Sequence, residues 1–407
     1  MIEYSPVSVN CDPVTARPYN SILKMNQHDL QSMKPRTVLV LDNSLDLGGL
    51  EKKLFDFVSR IDQSRYRVVM CCLKQGGYFK EAFEALGTPF YERLMGSKYD
   101  LRAFWKLKRI LAAENVDLIY SFAHPNTLIL SDLARRFRLV KGVIISIHAT
   151  GSPSGGRLIG LRQRPFLSRV NRFLAVAHAH KKYLIEKEGL EESKIEVIHN
   201  GVDIDRYHPG PPDPALKQEL GIREGERVVV TVASLRPVKQ IDNLLRAIPA
   251  VLAGRPNTRF LLVGDGSERG RLMGLARELG ISERVTFAGL RSDIDAILRL
   301  GDYFVLPSRT EAFPNVLLEA MASGLPIVTT DVGSVRELVA DRESAFIVPP
   351  GRPDDLSRAI NTLLSDDETA SRFKELGRRI VEERFTLEEM CKKRERVFDA
   401  VLADYGQ

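Results

Sequence analysis

Short apolar runs rich in β-branched residues alternate with helical patterns along most of the chain, and this alternation restricts the possible folds more than any other feature. The runs are almost wholly apolar, which is typical of strands that are buried on both faces. The first five are TVLVLD (37–42), YRVVMCCL (66–73), VDLIYSF (116–122), GVIISIH (142–148) and FLAVA (173–177), with helical patterns at 50–60, 101–114 and 127–138. Strands that alternate with helices predict a parallel, doubly wound α/β sheet.

A proline-rich segment, DRYHPGPPDPALK (205–217), interrupts this order and predicts an interdomain linker. The alternation then resumes with RVVVTVA (227–233), RFLLVGD (259–265), RVTFAGL (284–290), YFVLP (303–307), PIVTTD (326–331) and SAFIVPP (344–350). We therefore predict two Rossmann-like domains, over 36–204 and 218–385, whose sheets turn their carboxyl edges toward a central cleft. A flexible leader is expected over 1–35. A C-terminal helix is expected over 386–407, and this helix could pack back on the N-terminal domain.

Length and composition exclude several classes of protein. At 407 residues the chain exceeds the usual size of a single core, which favours two domains. Its four cysteines, Cys11, Cys71, Cys72 and Cys391, have no metal-ligand spacing and suit a reducing cytoplasm. The N-terminus lacks the apolar core of a signal peptide, and no run reaches the roughly 18 apolar residues of a membrane helix. We therefore predict a cytoplasmic protein, free or at the inner face of the membrane, whose net charge of +6 favours acidic partners.

The stretch SRTEAFPNVLLEAMASGLPIV (308–328) contains two glutamates, Glu311 and Glu319, with seven residues between them. It predicts a strand end, a polar turn and a helix over about 314–323 that begins at Pro314. Free backbone N–H groups at the start of this helix would favour an anion. The three that we expect to be free belong to Asn315, Val316 and Leu317.

Both glutamates are expected at the mouth of this helix, because helical side chains lean toward the N-terminus and bring Glu319 back toward Glu311. Two carboxylates repel a bound anion unless they also bind hydroxyl groups of the same ligand. A sugar nucleotide has both kinds of group. The alternative is a solvated Glu319 and a Glu311 that only favours the helix dipole.

A pair of cations follows the first strand of the second domain. TVASLRPVKQIDNLL (231–245) places Arg236 and Lys239 between a strand end and a helix, near the mouth of the previous motif. A planar guanidinium and a compact ammonium at one sheet edge suit a diphosphate. The alternative is a random surface pair.

Weaker signals lie in the leading domain. Gly48 and Gly49 follow its first strand, where backbone N–H groups could approach a phosphate or an acceptor. His124 stands just after VDLIYSF (116–122) and is the histidine that we select for function, with a hydrogen-bonded structural role as the alternative. VIHNGVD (197–203) ends a strand with an Asn-Gly turn, which could be only a hinge.

Six motifs follow one another along the chain: the Gly-Gly pair, HNGVD, LRPVK (235–239), VGDGSER (263–269), PSRTEAFPNVLLEAMASGLPIV (307–328) and TTDVGSVREL (329–338). In this order they resemble the large retaining glycosyltransferase group called family 4, which has the GT-B fold. The resemblance spans roughly residues 36–385 and is strongest over 195–350. It implies that Glu319 binds the nucleotide ribose, that Glu311 faces the donor sugar, and that Lys239 and an arginine hold the diphosphate.

Further site residues come from the same resemblance. A catalytic histidine of the leading domain corresponds to His124. The donor site would also include Phe313, Pro314, Gly264 and Gly266, beside the three helix amides. The chain departs from the family at Ser234, where the usual arginine stands five residues before the lysine. Either Arg236 substitutes for that arginine, or the diphosphate is neutralised less strongly.

The resemblance implies a hexosyltransferase of the EC 2.4 class that needs no cofactor. It would move a sugar from a nucleotide-sugar, UDP-sugars ahead of GDP- or ADP-sugars, to a glycan or lipid-linked acceptor in cell-surface polysaccharide or glycolipid synthesis. The alternatives are a sugar-nucleotide epimerase of similar fold and a non-catalytic nucleotide-sugar-binding protein. The basic segment 151–172 could contact an anionic membrane or be a solvated loop, and both interpretations stay open. No nucleic-acid partner is expected.

Two other chemistries are disfavoured. The glycines of VGDGSERG (263–270) do not have G-x-G-x-x-G spacing and follow the second strand of their domain, which argues against a dinucleotide-binding dehydrogenase. The pairs Asp203/Asp205 and Asp293/Asp295 resemble metal-binding DxD motifs, but they fall at the linker and at a helix start, away from the predicted diphosphate. We therefore expect no obligatory metal.

This expectation has a direct test. Sugar transfer should persist in excess chelator, because Lys239, the arginine and the helix amides would neutralise the leaving diphosphate without a metal ion. The measurement is initial rate with and without chelator. Complete loss of transfer that manganese or magnesium restores would contradict the metal-free mechanism.

Overall fold

A computed structural model describes residues 34–46, 48–97, 100–149, 159–160 and 163–405. The first half of the chain forms a parallel sheet of seven strands in the order β3-β2-β1-β4-β5-β6-β7. These strands are β1 (Arg36–Asp42), β2 (Tyr66–Cys72), β3 (Phe90–Tyr91), β4 (Leu118–Phe122), β5 (Gly142–Ile147), β6 (Arg172–Ala175) and β7 (Ile195–Val197). Every residue of β4 and β5 is buried, as nearly continuous apolar runs predict for central parallel strands.

Within the described residues, five α-helices accompany this sheet. They are α1 (Gly49–Val58), α2 (Lys80–Ala85), α3 (Arg102–Ala113), α4 (Pro125–Arg136) and α5 (His178–Glu186). The chain thus runs from strand to helix to parallel strand, and the sheet core lies between two separate groups of buried side chains, one on each face.

The second half of the chain repeats the plan with six parallel strands in the order β10-β9-β8-β11-β12-β13. The strands are β8 (Arg227–Val232), β9 (Thr258–Val263), β10 (Val285–Gly289), β11 (Tyr303–Leu306), β12 (Ile327–Thr330) and β13 (Ala345–Val348). The helices are α6 (Pro214–Glu219), α7 (Ile241–Gly254), α8 (Arg269–Glu278), α9 (Ile294–Leu300), α10 (Asn315–Ala322), α11 (Val335–Leu338) and α12 (Pro353–Ser365). The prediction of two doubly wound α/β units is confirmed.

Two long helices, α13 (Asp367–Arg384) and α14 (Leu387–Ala403), end the described chain. Helix α14 lies against the first sheet, where the Phe398 ring contacts the rings of Phe57, Tyr66 and Tyr120 with centroids 5.5 to 6.0 Å apart. The Tyr66 hydroxyl also donates a hydrogen bond to the Asp399 carboxylate. The chain end therefore covers part of the core of the first half.

The differences from the predicted elements are small and have local causes. The edge strands β3 and β7 have only two and three residues, too few for a periodic signal. Helix α10 begins at Asn315, one residue later than predicted, because Pro314 is the N-cap. Residues 1–33 of the predicted leader lie outside the described residues, as do 151–158 and 161–162 of the basic segment 151–172. Among the residues that are described, no helix combines the length and the apolar character that a bilayer crossing requires.

The strand order decides where the predicted site residues meet. Strands β8 and β11 are neighbours in the middle of the second sheet, with Tyr303 opposite Val229. The loops that follow these two strands carry Lys239 and Glu311. Since parallel strands end at the same sheet edge, the two loops are side by side.

The packing of α14 generates a stability prediction. Phe398→Ala should lower the free energy of unfolding by about 3–5 kcal/mol, because it removes a fully buried ring from an aromatic cluster. Urea unfolding followed by circular dichroism measures this. Arg396→Ala, on an exposed position of the same helix, is the matched control and should change stability by less than about 0.5 kcal/mol. Equal transitions for both variants would show that α14 does not stabilise the first sheet.

Candidate donor site

Lys239 and Glu311 form an ion pair at the carboxyl edge of the second sheet. The Lys239 Nζ lies 2.6 Å from Glu311 Oε1, and the Ser308 hydroxyl donates to the same oxygen at 2.6 Å. The Arg309 N–H donates to the Val238 carbonyl at 2.8 Å, which ties the two loops together. Lys239 itself ends a short 3-10 turn after β8. The sequence prediction that these two motifs share one edge is thus met by a direct contact.

The start of helix α10 opens beside this pair. The Leu317 N–H donates to the Pro314 carbonyl at 2.9 Å, so it is not free, and the prediction was wrong for this amide. The N–H groups of Asn315 and Val316 have no hydrogen-bond partner among the described residues. The Asn315 side chain accepts from the Asn200 amide at 3.0 Å, which holds the helix start against the VIHNGVD turn.

Glu319 is buried, with 8% of its surface exposed, and it contacts the other half of the molecule. Its Oε1 lies 3.3 Å from the Nζ of Lys52 and 3.9 Å from the Nζ of Lys53, both on α1. Lys52 also donates to the Tyr207 hydroxyl. The alternative of a solvated Glu319 is therefore excluded. Sequence reasoning missed Lys52, Lys53 and Tyr207, because none of them lies in a motif of the second domain.

Lys53 makes this contact electrostatically demanding. Only 2% of its surface is exposed, and burial lowers the pKa of its ammonium, while the Glu319 and Asp56 carboxylates act in the opposite direction. The Asp56 carboxylate lies 3.4 Å from the Lys53 Nζ. Buried charges are tolerated only when they are paired, so α1 and α10 are held to each other by these groups.

Arg236 is exposed and makes no ion pair with any described residue. Its Nε donates to the Ser234 hydroxyl at 3.2 Å. The guanidinium therefore lies beside the residue that replaces the family's usual arginine. Its role as a substitute stays a prediction.

His124 is the N-cap of α4, immediately after β4. Its backbone N–H donates to the Thr127 hydroxyl at 3.3 Å, and its Nδ1 is buried without a partner in the described chain. Burial, with a smaller effect of Lys74, lowers the pKa of the imidazole. The lowered pKa favours a neutral ring, and no contact in the described chain joins it to Glu311 or Lys239.

Gly48 and Gly49 lie at the start of α1, at the carboxyl edge of the first sheet. Gly48 has extended backbone, with φ −161°, and the space around Gly49 is open. The Glu51 carboxylate covers Gly48, and burial together with the Asp46 carboxylate raises the pKa of Glu51. An acidic lining suits a hydroxyl-bearing acceptor better than a phosphate.

Three predicted donor-binding residues have structural contacts. Gly264 has φ +129°, and a Cβ here would collide with the Ala233 carbonyl, while one on Gly266 would collide with that of Leu235. These glycines let the VGDGSER loop lie on the loop that leads to Lys239. Phe313 is buried and packs on the His199 ring, with centroids 5.6 Å apart. Direct donor contact by any of the three stays a prediction.

An unpredicted contact joins the two halves beside the site. His199 Nε2 lies 2.8 Å from Glu337 Oε2, and the N–H groups of His178 and Ala179 donate to the same carboxylate. Burial raises the pKa of Glu337, but the bonds from His199 and these amides outweigh it and lower the pKa to about 2. The glutamate therefore caps α5 as a carboxylate. In the sequence, Glu337 lies in the motif TTDVGSVREL, but its partner His199 can be identified only from the fold.

Three of the four aspartates in the two DxD pairs are bound to arginines. Asp203 lies 2.6 Å from Arg60, Asp295 lies 2.9 Å from Arg206, and Asp293 pairs with Arg291. In the described chain, the side chains close enough to share one metal ion are instead those of His178, His199 and Glu337. Transfer without a metal stays a prediction.

Two family models match this chain. The one described as Glycosyl transferases group 1 matches residues 212–380, and the one described as Glycosyltransferase Family 4 matches residues 47–206. Each therefore covers most of one of the two α/β halves.

Similar proteins include enzymes with different acceptors in their names. The N-acetyl-alpha-D-glucosaminyl L-malate synthase of Bacillus anthracis is 28% identical over 317 residues, which cover 75% of this chain and 80% of that protein. The D-inositol 3-phosphate glycosyltransferase of Nocardia farcinica is 34% identical over 234 residues, 55% of this chain and 51% of that protein. This chain thus aligns with about half the length of the Nocardia protein. The crystal structure of Alr3699/HepE of Anabaena in complex with UDP has a TM-score of 0.77 and 26% identity, and covers 89% of this chain and 100% of its own.

The contrasting environments of Lys239 and Arg236 give a prediction. Lys239→Ala and Arg236→Ala should each lower turnover by about 10²-fold, because each removes a donor aimed at charge that develops on the leaving group. Their combined effect should be less than additive, since both act on one diphosphate. Arg246→Ala, at an exposed position of α7, is the matched control. A loss of less than about threefold for Arg236→Ala beside a crippled Lys239→Ala would contradict the role of Arg236.

Proposed function

Since the chain belongs to the group 1 (family 4) glycosyltransferases and has their GT-B fold, we propose that it transfers a sugar from a UDP-sugar, with retention of configuration, to a hydroxyl group of an acceptor. The observation that carries this proposal is the Lys239–Glu311 pair beside the unpaired N–H groups of Asn315 and Val316. A cation, two amides and a carboxylate at one sheet edge match the diphosphate and the hydroxyl groups of a sugar nucleotide.

UDP is the nucleotide with the best support. Structures of Alr3699/HepE of Anabaena contain UDP or UDP-glucose, and that protein aligns with nearly the whole of this chain at 25–26% identity. We therefore take UDP-glucose as the first donor to test. Glu319 would accept hydrogen bonds from the ribose hydroxyls, and Glu311 from those of the sugar.

The proposed reaction exchanges one bond at the sugar C1. The C1–O bond to the diphosphate breaks, the acceptor oxygen bonds to C1 on the same face, and the departing phosphate oxygen takes the acceptor proton. Lys239, Arg236 and the two helix amides stabilise the charge that grows on the leaving group. The proposal assigns no motif residue as a covalent nucleophile, so the retention that the resemblance implies would come from same-face attack. His124, neutral because burial lowers its pKa, would position a sugar hydroxyl.

The acceptor would bind the first domain near Gly48 and Gly49. Its acidic surroundings, Glu51 and Asp46, favour neutral hydroxyl groups, as on a glycan or a lipid-linked sugar. Such an acceptor would connect the chain with polysaccharide or glycolipid synthesis at the cytoplasmic face of a membrane. A small hydroxylated anion is the second candidate, because the names of two relatives contain malate and inositol 3-phosphate.

Epimerisation and non-catalytic binding are not favoured. The relatives found are named for synthesis or transfer, and the residues proposed for leaving-group stabilisation are present.

The proposal is tested by incubating the purified chain with UDP-glucose and other nucleotide-sugars, with and without acceptors that carry free hydroxyl groups. We expect acceptor-dependent release of UDP and an α-linked product by NMR. Glu311→Gln should abolish transfer without weakening UDP binding, because Lys239 loses the carboxylate that competes with the diphosphate. UDP release together with an epimerised sugar and no glycosylated product would support the epimerase instead, and binding without turnover of any donor would support the non-catalytic protein.

A further inference from the structure

Helix α3 exposes large apolar side chains to solvent. Leu101, its N-cap, is 86% exposed, and Trp105, one turn further on, is 61% exposed. The buried side of the same helix is formed by other residues, namely Ala103, Leu107, Ile110 and Leu111. The helix is thus apolar on the face toward the core and again along a line toward solvent.

Basic side chains flank this apolar line. The helix contains four cations and no acidic residue, in the sequence RAFWKLKRILAA. Lys108 lies over the Trp105 ring, with its Nζ 5.4 Å from the ring centroid. The other three cations are Arg102, Lys106 and Arg109, spaced at helical intervals on the adjacent exposed line. None of the four has an ion-pair partner among the described residues.

The surface continues onto the end of α4. Phe137 is 58% exposed, and its ring lies 5.4 Å from that of Phe104, which in turn lies 5.8 Å from the Trp105 ring. The sequence neighbours of Phe137 line a cavity of about 410 Å³ that has six basic side chains in its wall: Arg135, Arg136, Arg138, Arg169, Arg172 and Lys194. Of these, Arg136 and Arg138 are exposed and have no ion-pair partner in the described chain.

We propose that this surface, formed by Leu101, Trp105 and Phe137 with the basic residues of α3 and the end of α4, docks on an anionic phospholipid bilayer. Unpaired cations are complementary to anionic headgroups, and each contributes measurably near such a surface. A soluble polyanion would not require the exposed Trp, Phe and Leu side chains. A bilayer would bind them, since aromatic side chains prefer the boundary between headgroups and acyl chains.

This inference goes beyond the proposed transfer reaction and does not depend on it. It extends the surface to α3 and the end of α4, beside Arg169 and Arg172 of segment 151–172, for which membrane contact was one of two open interpretations. If the acceptor is lipid-linked, docking through the first domain would bring the acceptor side of the enzyme to the bilayer.

The chain contains a single tryptophan, so Trp105 reports directly on this surface. Titration of the full chain with vesicles of phosphatidylcholine plus phosphatidylglycerol should shift its fluorescence to the blue, and lipids with a quencher on the acyl chain should reduce the emission. Vesicles of phosphatidylcholine alone should bind at least about tenfold more weakly, because they do not attract the cations. No shift with either vesicle would overturn the proposal.

Variants separate a bilayer from a soluble polyanion. Arg109→Glu/Arg136→Glu should weaken co-sedimentation with anionic vesicles by about tenfold or more, whereas Arg246→Glu/Arg277→Glu, a reversal of two exposed charges in the second half, should leave it within about threefold. Phe137→Ser, which keeps all charges, should also weaken binding and reduce the fluorescence shift. If Phe137→Ser binds like the parent and heparin competes fully, the surface binds polyanions and the bilayer assignment is wrong.

The readouts are independent of catalysis. UDP-glucose turnover with a water-soluble acceptor should be unchanged in all of these variants, because none of the altered residues belongs to the donor site. Vesicle binding by a chain that transfers no sugar would refute the proposed function but not the docking surface. Sugar transfer without vesicle binding would refute the docking surface but not the proposed function.

Discussion

Each carboxylate proposed to contact the donor is already paired with a lysine, and this pairing organises the cleft. Glu311 holds Lys239 at 2.6 Å within the second half, and Glu319 holds Lys52 at 3.3 Å across the two halves. Two free carboxylates would repel a diphosphate. Paired, they leave the local charge near neutral, and the lysines remain available for exchange when a more highly charged anion arrives.

This arrangement implies that donor binding replaces contacts rather than filling an empty basic pocket. The diphosphate would take over Lys239, which frees Glu311 to accept hydrogen bonds from sugar hydroxyls. A ribose at Glu319 would compete with Lys52 and Lys53, and Lys53 is buried and requires a counter-charge. Asp56, 3.4 Å from Lys53, can supply that charge, so Glu319 can change partners without leaving an unpaired buried ammonium.

Residues whose role depends on local pattern were predictable from the sequence, and residues whose role depends on contacts between the halves were not. Apolar runs identified eleven of the thirteen strands in the described part of the chain, because central parallel strands are buried on both faces. Lys239 and Glu311 were placed together because parallel strands end at one edge. Lys52 and Lys53 follow an ordinary Gly-Gly turn, and their contacts with Glu319 arise only from the packing of α1 against α10. The hydrogen bond of Leu317 to Pro314 depends on a one-residue difference in where a helix starts, which sequence patterns do not resolve.

The central claim, that Glu319 binds the ribose at the mouth of α10, is tested most directly by combining a protein change with a ligand change. The affinities of the parent chain and Glu319→Gln are measured by calorimetry for UDP and for its 2′,3′-dideoxy analogue. The parent should bind UDP about tenfold or more tightly than the analogue, as hydrogen bonds to a charged group are worth about 1.5–3 kcal/mol. In Glu319→Gln this difference should largely vanish. A difference of unchanged size in the variant would show that the ribose hydroxyls bind elsewhere and would contradict the account.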